Sequence, residues 1–176
     1  HPAYPFTEGT TATLAGVTFA VEAEDTTVVG WLRDLVVALD GYPLIIPPGG
    51  KALYHAALAI ASNYAVTLYA LAESLLVGLG ADKATVDQAL NGLLAGTMEN
   101  LRAKGVPDAL TGPLVRGDAG TIAAHVKALQ SVNGDAAALY RDLARLTYPL
   151  LRARGTAPEA IEQVLRQEFE HADNRS

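Results

Sequence analysis

With 176 residues, half of them hydrophobic and only 18% charged, the chain has apolar material for one well-cored domain, or one domain and part of another, and its composition excludes disorder. Thirteen basic against 19 acidic residues give a net charge of −6 with no Lys/Arg cluster, which argues against nucleic acid or an anionic membrane as a partner. Cysteine is absent, which excludes disulfides and thiolate metal sites and fits a reducing cytoplasm.

The one methionine is Met98 and the first residue is His1, so the chain is expected to lack its natural N-terminus. Residues 1–16, rich in Pro, Thr and Gly, read as irregular. Residues 17–24 alternate as a strand, with Val17, Phe19 and Val21 on one face. Asp25 or Thr26 can cap a helix whose Val28, Trp31, Leu32, Leu35, Val36 and Leu39 recur at helical spacing, ended by Gly41. Residues 44–46 read as a short buried strand stopped by Pro47 and Pro48. Strand, helix, strand is a βαβ-type unit, too small to be a stable sheet alone. It is expected to be the end of an α/β domain over residues 1–49.

From residue 50 the pattern becomes all-α. Residues 51–80 predict one long helix, apolar nearly all round, about 45 Å long at 1.5 Å per residue. Its polar groups are confined to the first turns, at Lys51, Tyr54, His55, Ser62 and Asn63. The run over 56–72 is about 17 residues, at the bottom of the range that spans a bilayer, and Asn63 and Glu73 would be costly in lipid. A buried core helix, shared with a second copy of the chain as a homodimer, is the expectation, with no membrane span. A helix over 83–104 follows, capped by Asp82, with a stripe of Val86, Leu90, Leu93, Leu94, Met98 and Leu101. Asp118 caps the next, with Ile122, Val126 and Leu129 inward. After Asn133-Gly134 another runs to about residue 152, with Leu139, Leu143, Leu146 and Leu150 inward. The last opens on Thr156-Ala157-Pro158-Glu159, a capping box with Pro in the first turn, and presents Ile161, Val164, Leu165 and Phe169.

Two groups of residues could carry chemistry. At about 100° per residue, Lys51, His55 and Ser62 fall on one edge of the long helix, with Asn63 around the corner. An amine, an imidazole and a carboxamide so placed could orient a polar substrate and move a proton. They could equally be a solvated first-turn lysine, a core histidine and a buried amide. The second group is the loop 109–118, where Arg116 could clamp a carboxylate or phosphate beside a helix N-terminus, with Thr111, Asp118 and His125 near it. The alternative is a plain connector with Arg116 paired to Asp118. No G-x-G-x-x-G, no P-loop, no metal-ligand spacing and no G-x-S-x-G elbow is present.

His1-Pro2, YHAALAIASN, ENLRAKG and ALTGPLVRGD followed by His125 together resemble a bacterial Rossmann-like family of unknown function. Its C-terminal half is similar to the C-terminal domain of 6-phosphogluconate dehydrogenase. The resemblance implies a mainly α fold, with a 6-phosphogluconate dehydrogenase C-terminal-like helical domain over 50–176 preceded by a short βαβ remnant of a Rossmann-like domain. It implies an NADP-binding part beyond this chain, which carries no phosphate loop of its own, and an NAD(P)-dependent oxidoreductase in which this chain supplies substrate binding and dimerisation. β-Hydroxyacid dehydrogenases and ketopantoate reductase, more distant relatives, carry a Lys and an Asn one turn apart on the opening helix of the α-domain. Here Lys51 matches, but His55 stands one turn on and Asn63 two turns beyond it. The implied catalytic set is Lys51, His55 and Asn63, with Ser62, Thr111, Arg116, Asp118 and His125 toward substrate. A non-catalytic helical dimerisation or ligand-sensing module is the competing expectation.

Overall fold

β-Branched and aromatic residues around Val17 and a proline-stopped apolar run before Pro47 produce two short parallel strands, β1 (Thr18–Val21) and β2 (Tyr42–Ile45). They pair with Thr18 opposite Tyr42 and Val21 opposite Ile45. The crossover between them is helix α1 (Thr26–Ala38), whose first turn is capped by the Asp25 carboxylate accepting the Thr27 N–H at 2.7 Å. The computed structural model describes residues 1–6 and 13–173, with side chains described to residue 170. Helices α2 (Lys51–Ala61), α3 (Asn63–Gly78), α4 (Lys83–Lys104), α5 (Ala119–Val132), α6 (Gly134–Ala153) and α7 (Glu159–Asp173) complete the chain. The fold is therefore mainly helical with a short βαβ start. It divides into two compact units, residues 1–74 and 75–176.

In the first unit, Val17, Ala20, Val21 and Val36 are buried where α1 crosses the strands. Within the stretch read as irregular, of which residues 7–12 lie outside the described residues, residues 1–3 pair along β1. Pro2 bridges antiparallel to Phe19, the Ala3 N–H donates to the Thr18 carbonyl and the Ala20 N–H to that of His1. Gly41 plays a different part from the one expected. Asp40 takes the left-handed conformation that ends α1 (φ 55°), while a Cβ on Gly41 would lie 2.9 Å from the Phe19 ring. The strand expected to be buried is mostly exposed, because β2 pairs along one edge only. The α1 stripe is likewise uncovered apart from Val36, and Trp31 is 71% exposed.

The long apolar helix forms, but broken at Ser62 (φ −113°, ψ −66°) into α2 and α3. Hydrogen bonds still flank the break, from the Ser62 N–H to the Leu58 carbonyl and from the Val66 N–H to that of Ser62. Contrary to the expectation of a buried core helix, neither half has a buried residue; Leu53 is 79% and Val66 69% exposed. The stretch Lys51–Gly78 is long and apolar enough to cross a membrane by length and composition alone. The second unit buries its own apolar faces within itself.

That unit is built on α5, which packs against both α6 and α7. Ile122 and Val126 from α5, Ala144, Tyr148 and Leu151 from α6, and Ile161 and Leu165 from α7 form one buried cluster. Side chains of this size contribute about 1.5–3 kcal/mol each when fully buried. The α5 and α7 stripes are those the spacing predicts. On α6 the inward face is instead Ala137, Ala144, Tyr148 and Leu151, and Leu139, Leu143 and Leu146 face outward. Small alanines let α5 approach closely, so α6 turns its leucines away. On α4 only Val86 and Leu90 are buried; Leu93, Leu94, Met98 and Leu101 are exposed. Asp82 and Asp118 cap α4 and α5 as expected, accepting the N–H groups of Thr85 and Thr121, and Asn133 caps α6, accepting that of Ala136. The Thr156 box is not closed. Its N–H goes to the Leu151 carbonyl and its hydroxyl to that of Val115.

Candidate functional site

The first turn of α2 is set by the prolines and glycines before it. The Gly50 N–H closes a turn onto the Pro47 carbonyl at 2.9 Å, and a Cβ on Gly50 would come within 2.8 Å of that oxygen. Gly49, at φ +82°, donates its N–H to the Glu22 carboxylate beyond β1. The turn thus ties both strand ends to the helix start and makes Lys51 its first residue. His1 is brought to the same place by its pairing along β1. The Tyr54 hydroxyl donates to the His1 carbonyl at 3.3 Å. The His1 ring stands edge-on to Tyr54 at 5.5 Å and to His55 at 5.4 Å.

A cavity of about 400 Å³ opens here, with His1, Glu22, Lys51 and Tyr54 as polar lining against an apolar wall that includes Leu32 and Val36. The arrangement offers a primary amine, a phenol and an imidazole around an apolar pocket, with a second imidazole against the first. Such groups bind a polar head with an apolar body and can pass a proton to an oxygen of the bound molecule. Of the expected set, Lys51 and His55 meet in this cluster. Ser62 and Asn63 do not. They lie at the break, about 12 Å further along the helix axis from His55, and both are exposed. His1 and Tyr54 had no assigned role in the sequence reading. The His-Pro pair is visible there, but a contact across 53 positions is not.

The second unit holds Thr111, Arg116, Asp118 and His125. The loop after α4 is pinned from the far end of α6. The Arg154 guanidinium donates to the carbonyls of Pro107, Asp108 and Leu110 at 3.2, 3.0 and 2.7 Å. Thr111 and Arg116 are exposed. Both Asp118 carboxylate oxygens are engaged by Thr121, one by its N–H at 3.0 Å and one by its hydroxyl at 2.7 Å. These bonds, chiefly the backbone one, hold the carboxyl below its ordinary pKa, aided by the nearby charges of Arg116 and His125. Asp118 is thus an ionised helix cap with Arg116 beside it. His125 Nδ1 shares a 3.0 Å hydrogen bond with the Tyr140 hydroxyl, whose pKa burial raises, so the phenol stays protonated.

The β1–α1 turn does not suit the diphosphate of a dinucleotide. The turn between β1 and α1 carries Glu22, Glu24 and Asp25, and the Asp25 carboxylate already fills the α1 N-terminus where a phosphate would sit. Nor do three His, Asp or Glu side chains gather as a metal set among the described residues.

Comparison with known proteins agrees with this fold. A solved structure from Bacteroides fragilis, described as a candidate NADP oxidoreductase, superposes with a TM-score of 0.64 at 21% identity over 82% of this chain. It matches through 54% of its own length, so the chain spans about half of that protein. No curated protein matches the sequence. The family model described as a domain of unknown function (DUF2520) matches residues 17–147, and the chain belongs to that family.

Proposed function

We propose that this chain is the substrate-binding and dimerisation part of an NADP-dependent oxidoreductase acting on a small polar molecule in the cytoplasm. The observation that carries the reading is the cluster of His1, Lys51 and Tyr54 at an apolar cavity, with His55 edge-on behind the His1 ring. The likeness in fold to a candidate NADP oxidoreductase supports it. In this reading Lys51 and His55 handle a proton at a substrate oxygen, and Tyr54 and His1 fix the imidazole and the substrate head. The cofactor supplies the hydride and is held by a phosphate loop in the remainder of a longer protein, since the β1–α1 turn rejects phosphate. Residues 1–49 then belong to the Rossmann-like part and residues 50–176 to the helical one. Ser62 and Asn63 are proposed to contact substrate from further along the same helix, and Arg116, with Thr111, Asp118 and His125 around it, to bind a substrate group within the second unit by itself. The bare α2–α3 stretch is covered by a second copy, because the exposed apolar faces of α2, α3, α4 and α6 exceed what a monomer leaves to water.

The test is a titration of the full-length protein with NADPH, followed by turnover of Lys51→Met and His55→Ala variants. Binding with a loss of turnover of about a hundredfold in either variant supports the reading. A folded full-length protein that binds no NADPH overturns it. The same exposed apolar faces favour one rival, a dimerisation or ligand-sensing module without catalysis. It gains if His55→Ala and Arg116→Ala leave activity and ligand affinity unchanged.

A further inference from the structure

A second cavity lies in the helical unit, lined by none of the residues given a role in the proposed function. Because α5 packs against both α6 and α7, those two helices do not pack closely along their backbones, and a groove of about 340 Å³ is left between them. Arg141, Arg145 and Arg166 line it with Tyr148 and Phe169. Arg141 is fixed, lying over the Phe169 ring at 4.4 Å and bonded to Asp142 at 3.2 Å. Arg145 is held more loosely, 3.9 Å from the same carboxylate and largely exposed. Tyr148 is only 7% exposed, and its hydroxyl is buried with no hydrogen-bond partner among the described residues. A buried polar atom left unpaired in a native fold calls for an explanation.

We propose that this groove binds the carboxylate of a small organic acid between the Arg145 and Arg166 guanidiniums, with the Tyr148 hydroxyl as a third donor. Guanidinium matches a carboxylate in geometry as well as charge. Burial, and after it the Glu162 charge, keep the phenol protonated and hence able to donate, against the opposing influence of Arg145 and Arg152. Glu162 and Glu170 line the same groove and Asp142 pairs with Arg141 and Arg145, so three cations meet three carboxylates, and the ligand suited is one of a single negative charge held by guanidinium geometry rather than by net field. A dianion gains less, since the carboxylates repel it.

Benzoate, with inorganic phosphate as a second probe, is titrated into the full 176-residue chain against sodium chloride of equal ionic strength, followed by NMR. The proposal expects saturable benzoate shifts confined to α6 and α7. It expects affinity about tenfold weaker in the Arg145→Gln/Arg166→Gln double variant, whose sites are on the surface, and a few-fold weaker in Tyr148→Phe. Glu162→Gln should tighten benzoate. Shifts that chloride reproduces, phosphate bound more tightly than benzoate, or a double variant with unchanged affinity would each overturn it. Because none of these residues belongs to the Lys51 cluster, either result stands apart from the NADPH titration.

Discussion

Two apolar regions of this chain have opposite fates. The α5–α6–α7 cluster buries Ile122, Leu151 and Ile161 completely. The α2–α3 stretch is the more uniformly apolar of the two, yet buries nothing. The difference is one of periodicity rather than hydrophobicity. α5 and α7 each offer a single apolar stripe and a polar back, which matches one partner face and leaves solvent a surface it can wet. α3 is apolar on nearly every side, and α2 everywhere but its Lys51–His55 edge, so one neighbour cannot satisfy them. A helix of that kind points to cover from outside the chain.

Substitutions in the two regions should separate them sharply. Ile122→Ala or Leu151→Ala removes a fully buried side chain and is expected to cost about 3 kcal/mol in urea unfolding. A loss under about 1 kcal/mol would mean that the cluster is loosely packed. Arg154→Met, which strips three loop carbonyls of their donor in an exposed setting, should cost about 1 kcal/mol. Hydrogen exchange should rise over residues 105–118, and unchanged exchange there would show that Arg154 does not hold the loop. The Leu53→Ser/Val66→Ser pair lies in the bare stretch and should change the stability of the isolated chain by less than about 0.5 kcal/mol, while weakening self-association.

The smallest effect is one of pH. Asp25, Asp82 and Asp118 all have carboxyls held below the ordinary aspartate value of 3.8, in each case first by a backbone N–H of their own helix. A depressed folded-state pKa stabilises the fold above the unfolded-state value, and the gain is lost as pH falls through the lower folded-state value. The melting temperature should therefore be insensitive to these caps near neutrality and fall below pH 4 or so. Replacing the three with Asn should flatten that acid limb; an unaltered limb would assign acid sensitivity elsewhere.

Much of the fold was legible because helix starts carry local chemistry. Asp25, Asp82, Asp118 and Asn133 cap where their residue types and positions say they should. What could not be read was which of two apolar faces is used. On α6, Leu139, Leu143, Leu146 and Leu150 have good helical spacing, but close approach to α5 selects the alanine face with Tyr148. The break at Ser62 has neither Pro nor Gly to announce it. Of the candidate site, the Lys51–His55 edge follows from helical period alone. His1 joins it through strand pairing, and Tyr54 through a bond to the His1 carbonyl, both non-local contacts invisible to a window along the chain.

Whether the bare helix is covered by a second copy is most directly tested by multi-angle light scattering of the 176-residue chain, with the Leu53→Ser/Val66→Ser variant beside it. The account predicts a particle of twice the 18.4 kDa chain mass, shifting toward the monomer in the variant. A monodisperse 18.4 kDa species for the unmodified chain would contradict it.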